Sequence, residues 1–109
     1  MNRATVALVA VLLFGLNGQT SAGDPKAGEE KAAACLACHG AGGGAPISPQ
    51  YPILAGQYEN YLSAALRQYQ SGARKNMIMS GLAAALSEED IEDLAAYFAS
   101  QSSPLRIID

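Results

Sequence analysis

The run Cys35-Leu36-Ala37-Cys38-His39, followed by Gly40, constrains this chain more than any other stretch, because it holds both cysteines and the single histidine. Two cysteines three apart near the end of a helical run present both sulfurs to the same edge of a flat ring. The adjacent imidazole then stands under the ring's centre. That is the attachment pattern of c-type haem, with two thioether bonds to porphyrin vinyl groups and a histidine as first axial ligand to iron. Three rivals use the same residues. A redox dithiol calls for a preceding strand in a βαβ setting, and none is visible. Tetrahedral zinc needs four ligands, and no second Cys or His pair exists here. A disulfide across the two-residue gap leaves His39 without a role.

The N-terminal residues read as an export signal spanning 1–22. Arg3 supplies the positive region, Val6 to Phe14 the apolar region, and Thr20-Ser21-Ala22 a small-residue cleavage site before Gly23. The apolar stretch from Ala4 to Leu16 is thirteen residues long, short of the ~20 needed to span a bilayer. Cleavage removes 22 of the 109 residues and leaves a domain of residues 23–109. The expected location is the bacterial periplasm, as a soluble protein.

A mature chain of 87 residues makes one small domain, burying only about 60 % of the surface its unfolded chain exposes. A covalently bound porphyrin would supply the missing apolar centre. The absence of Trp suits a core built around a cofactor. Losing Arg3 leaves six basic against ten acidic side chains, a net charge of −4. That balance argues against nucleic acid, which calls for a basic face. It makes a partner's docking patch basic or apolar.

The helical signals are separated by loops rich in Gly and Pro. Asp24 is a suitable N-cap with Pro25 at the first helical position, and a helix is expected to run from there through Lys31 and Ala34 to the cysteines. From Gly40 to Pro52, seven of thirteen residues are Gly or Pro, which predicts an irregular loop. Such a loop suits wrapping one side of a flat cofactor. A second helix shows in Tyr58, Tyr61, Leu62, Ala65, Leu66 and Tyr69, with Gly72 as its stop. A third opens at Ser87, paired with Asp90 as a capping box, and buries Ile91, Leu94, Ala95 and Phe98. No alternating β-branched run appears, so the expected fold is all-α, with three main helices and loops wrapped around one haem.

The iron's other axial position is open to Met, Tyr, Lys or water, since the only histidine is already used. Met77 and Met79 lie between the second and third helices. A loop methionine is a good thioether candidate, because His/Met ligation is the electron-transfer arrangement. Both cannot serve.

The ordered motifs resemble those of the class I cytochromes c, and within them a single haem domain of the periplasmic cytochrome c4 group and its small monohaem relatives. The resemblance runs through Cys35-x-x-Cys38-His39-Gly40, Pro52-Ile53-Leu54-Ala55-Gly56-Gln57, Gly72-Ala73-Arg74, Met77-Ile78-Met79, Leu86-Ser87, Asp90-Ile91 and Leu94-Ala95-Ala96-Tyr97. The dihaem members carry two such domains where this chain has one. In that family the axial methionine lies seven residues before the leucine that precedes the last helix cap. The resemblance therefore implies Met79 as ligand, with Met77 the runner-up. It also implies that the Pro52 carbonyl receives the Nδ1–H of His39, that Leu54 packs on the ring, and that Gly28 and Ala32 meet Leu94 and Tyr97. Arg74, Gln57 and Arg67 are candidates for the haem propionates.

The resulting expectation is an electron-transfer protein and not an enzyme. It would cycle Fe(II)/Fe(III), bind no small-molecule substrate, and exchange electrons with redox proteins such as a membrane complex, a terminal oxidase or reductase, or a dehydrogenase. A second reading is a cytochrome subunit held tightly by a periplasmic dehydrogenase or sulfur-oxidising enzyme. A third, a haem sensor or peroxidase with an open distal site, sits poorly with two methionines.

Overall fold

The computed structural model describes residues 23–105. The expected signal segment and its cleavage site lie outside them. Among the described residues the chain is all-helical, and no helix is long and apolar enough to cross a membrane. In order come α1 (Pro25–Lys31), α2 (Ala33–His39), a 3-10 turn (Ala41–Gly43), α3 (Glu59–Ser71), α4 (Met77–Ala84) and α5 (Glu88–Ser100).

α5 is the central element, burying seven of its thirteen residues. Its start is fixed by the expected capping box: Asp90 N–H donates to Ser87 Oγ and Ser87 N–H to Asp90 Oδ2, each at 3.0 Å. α1 crosses it closely at Gly28, where any Cβ would collide with the Asp93 carbonyl and the Tyr97 side chain. Ala32 is fully buried in the same core with Leu62, Leu94, Ala95, Tyr97 and Phe98. Lys31 locks the crossing by pairing with Asp90 at 3.0 Å and Asp93 at 2.7 Å, and Asp93 also accepts the Asp24 N–H at 2.8 Å. α3 packs on the neighbouring face of α5, where Arg67 reaches Glu88 and Glu92.

Two expectations need correcting. The predicted first helix is two helices, broken at Ala32. The Ala32 amide bonds the Glu29 carbonyl three residues back, and its own carbonyl then starts the next helix by accepting Cys35 and Leu36 N–H. α1, before the break, is the part that packs on α5. The methionines, expected in a loop, lie on α4. Asn76 caps that helix, its Oδ1 accepting the Ile78 and Met79 N–H groups at 3.1 Å.

The Gly- and Pro-rich stretch is irregular apart from its single 3-10 turn, but it is tied in place. Ile47 N–H bonds the Cys38 carbonyl, Leu54 and Ala55 N–H both bond the Gly43 carbonyl, and Gly56 N–H reaches Phe98 on α5. α3 stops as expected at Gly72, which is left-handed at φ 84°. Ile91 and Leu94 are the largest fully buried side chains, a thin core for a domain this size. Around it Cys35, Leu36, Leu54, Leu66 and Leu86 are only half covered.

Candidate functional site

His39 ends α2, where the Gly40 N–H closes the last turn on Leu36. Only 5 % of His39 is exposed. Its Nδ1 lies 2.7 Å from the carbonyl oxygen of Pro52, the contact the resemblance implied. A carbonyl only accepts, so Nδ1 is the donor, and in the neutral ring this leaves the lone pair on Nε2. Among the described residues nothing bonds Nε2. The Tyr51 ring meets the imidazole edge-on, with centroids 6.2 Å apart and planes at 71°. A buried, oriented imidazole with one free basic nitrogen is the form a metal ligand takes.

Cys35 and Cys38, on the same helix as His39, are both half-buried and free of any disulfide. Residues three apart share a helix face, so one flat group can reach both sulfurs. Burial pushes the Cys35 thiol up, opposite to the lowered value a redox-active dithiol needs. Among the described residues no cluster of three or more His, Cys, Asp or Glu could hold a metal ion. The donor set that remains suits a haem: two thiols, one imidazole and a rim of half-covered apolar side chains. Leu54 is one of these, two residues beyond the carbonyl that orients His39.

Met77 and Met79 are separated by about 200° around α4. Only one of them can face the body of the protein. Met77 is 93 % exposed, whereas Met79 is half-buried. Of the two, Met79 is the one turned toward the body of the protein, and Met77 packs against little. The suggested propionate partners are otherwise engaged: Arg67 with Glu88 and Glu92, and Gln57 Oε1 with the Tyr58 N–H at 2.9 Å. The Arg74 guanidinium lies over the Tyr69 ring at 4.8 Å.

Sequence reasoning missed three features. Tyr51 beside His39 had no pattern to mark it. Gln70, which reaches from α3 to the Ala83 and Leu86 carbonyls at and just past the end of α4, had none either. Asn76 could have been found, because Asn ahead of an apolar run is an N-cap signal.

A cytochrome c family model matches residues 25–102. The chain belongs to the cytochrome c family. Its cofactor is covalent haem c, and Cys35, Cys38 and His39 supply the motif that such attachment requires. Among curated relatives, cytochrome c4 of Pseudomonas aeruginosa is 46 % identical over all of this chain and 53 % of its own length. Cytochrome c-554(548) of Halomonas halodenitrificans is 46 % identical over 73 % of this chain and 99 % of its own. A thiosulfate dehydrogenase electron acceptor of Thiomonas intermedia is 41 % identical over 85 % of this chain and 41 % of its own. The crystal structure of reduced cytochrome c4 from Pseudomonas stutzeri superposes with a TM-score of 0.71 at 41 % identity, covering 81 % of this chain and 50 % of that one. This cytochrome thus spans about half the length of the cytochrome c4 relatives it matches, and nearly all of the Halomonas protein.

Proposed function

We propose that this cytochrome is a periplasmic one-electron carrier, with haem c held by Cys35 and Cys38 and its iron held between His39 and Met79. When bound, haem supplies the Fe(II)/Fe(III) couple. The protein's part is to fix both axial donors, so that gaining or losing an electron rearranges little. The Pro52 carbonyl keeps the His39 proton on Nδ1 and Nε2 free to bind. Met79 offers a soft thioether, which favours Fe(II) and raises the potential. With His39 and Met79 both given to the iron, no ligand position would be left for a substrate, and the chain would exchange electrons with other redox proteins. The carrying observation is the buried His39 with its 2.7 Å bond to Pro52, because it leaves one basic nitrogen and a defined direction for it. Export through residues 1–22 agrees with thioether attachment outside the cytoplasm.

Potentiometric titration of the purified protein, followed by visible spectra, tests this reading. A single one-electron wave between two low-spin, six-coordinate spectra is expected. A two-electron thiol couple, or a high-spin spectrum in either state, would overturn it.

A second reading is favoured by the likeness to the Thiomonas thiosulfate dehydrogenase electron acceptor: the chain would serve one dehydrogenase as its dedicated acceptor. Co-purification with such an enzyme separates it from a free carrier shuttling between a membrane complex, an oxidase or reductase, and a dehydrogenase.

A further inference from the structure

α4 is a lightly anchored helix. Of its eight residues only Ala83 is buried, while Met77, Ile78 and Leu82 are exposed. Its packing partner is α3. The Asn76 bonds are local to the segment: they define where the helix begins but tie it to nothing else. Among the described residues, the hydrogen bonds that join α4 and its connector to α3 both come from one side chain. Gln70, in the last turn of α3, donates through Nε2 to the Ala83 carbonyl at 3.1 Å and to the Leu86 carbonyl at 2.8 Å. A carboxamide nitrogen carries two hydrogens, so both bonds form at once. The Ala83 carbonyl also accepts the Leu86 N–H at 3.1 Å, so Gln70 adds a side-chain tie where the helix end already turns back on itself.

We propose that Gln70 is a positioning residue for the sixth ligand: by clasping the end of α4 to α3 it sets how closely Met79 approaches the iron and how often it lets go. This rests on Met79 being that ligand. Met79 lies one helical turn before Ala83, so a shift of the clasped end moves Met79 with it. Ligation through Met79 would be a second tie on the same short helix, beside the Gln70 clasp and the packing on α3.

The test is the rate at which carbon monoxide binds the reduced holoprotein, a rate limited by release of the methionine, with the long-wavelength ferric iron–thioether band as a second readout. Gln70→Leu keeps size and helix propensity but removes both donors, and Gln70→Glu is isosteric but acceptor-only at neutral pH. Each should speed carbon monoxide binding about tenfold, the effect of losing two neutral hydrogen bonds, and weaken the band. Gln70→Arg restores donors and should return both readouts close to wild type. Lys31→Met, which loosens the distant α1–α5 crossing, should lower thermal stability and leave carbon monoxide binding alone. If the Leu and Glu variants lose stability while rate and band stay at wild-type values, Gln70 is only structural and the proposal fails. It also fails if Lys31→Met speeds binding equally, or if Gln70→Arg does not rescue. Met79→Ala separates this from the underlying assignment: a band that survives that change refutes Met79 as ligand, independently of the Gln70 result.

Discussion

The two sides of the haem site are built in opposite ways. On the histidine side, His39 is buried, its ring is oriented by a backbone carbonyl, and the loop carrying that carbonyl is pinned to Gly43 and to Phe98 of α5. Each of these bonds ends on a backbone carbonyl. On the methionine side, a short helix with one buried residue carries Met79, held by the side chains of Asn76 and Gln70. One side is fixed by the fold and the other is adjustable. A carrier needs the first for covalent attachment, and the second is where a potential or a ligand-exchange rate can be tuned without disturbing the fold.

That contrast is open to test. The largest expected effect is at His39: His39→Ala should yield no haem-bearing protein, read by haem staining and intact mass, because the chain holds no other histidine. Normal haem content in that variant would break the distinction between the two sides. On the methionine side, Met79→Ala should retain covalent haem but lose the iron–thioether band and show a lower potential by voltammetry.

At the α1–α5 crossing, Gly28→Ala should cost about 1–3 kcal/mol in denaturant midpoints, since its methyl group has no space beside the Asp93 carbonyl. Met79 ligation should survive that change. A smaller effect comes with acid. The Ser87 N–H, and then Lys31, hold the Asp90 carboxyl below its ordinary range, and Lys31, then the Asp24 N–H, do so for Asp93. Because these folded-state values are depressed, their contribution is complete above the ordinary carboxylate range and is lost as pH falls below it. Lys31 is shifted upward by the same carboxylates, so its charge persists throughout and no matching loss occurs near neutrality. Thermal midpoints should therefore fall on acidification, and Lys31→Met should flatten that fall. The smallest effect is Met77→Ala, within about 0.5 kcal/mol, with the band intact, because Met77 is 93 % exposed.

The histidine side was legible in the sequence because its chemistry is contiguous. Cys35, Cys38 and His39 lie within five residues, and the α5 start is announced by Ser87 and Asp90. The tie from Pro52 to His39 came only from family resemblance, since the pairing spans thirteen residues without a local signal. The methionine side was less legible. α4 is short, contains Gly81 and exposes most of its apolar residues, so no amphipathic stripe marks it. The preference for Met79 over Met77 came from counting back from Leu86, as the resemblance implies, and its assignment as ligand is a proposal; the structure shows that Met77 is 93 % exposed and Met79 half-buried. Gln70 could not be found at all: its partners are backbone carbonyls thirteen and sixteen residues away, and carbonyls carry no sequence signature. The break at Ala32 was hidden for a similar reason, because alanine favours helix on both sides of it.

The central claim is that side chains of this chain close both axial positions of the iron, with Met79 as the second. The most direct measurement is the visible spectrum of the reduced protein before and after carbon monoxide, for wild type beside Met79→Ala. The account predicts no prompt change in wild type and an immediate shift in the variant. A prompt shift in wild type, or a variant that still excludes the gas, would contradict it.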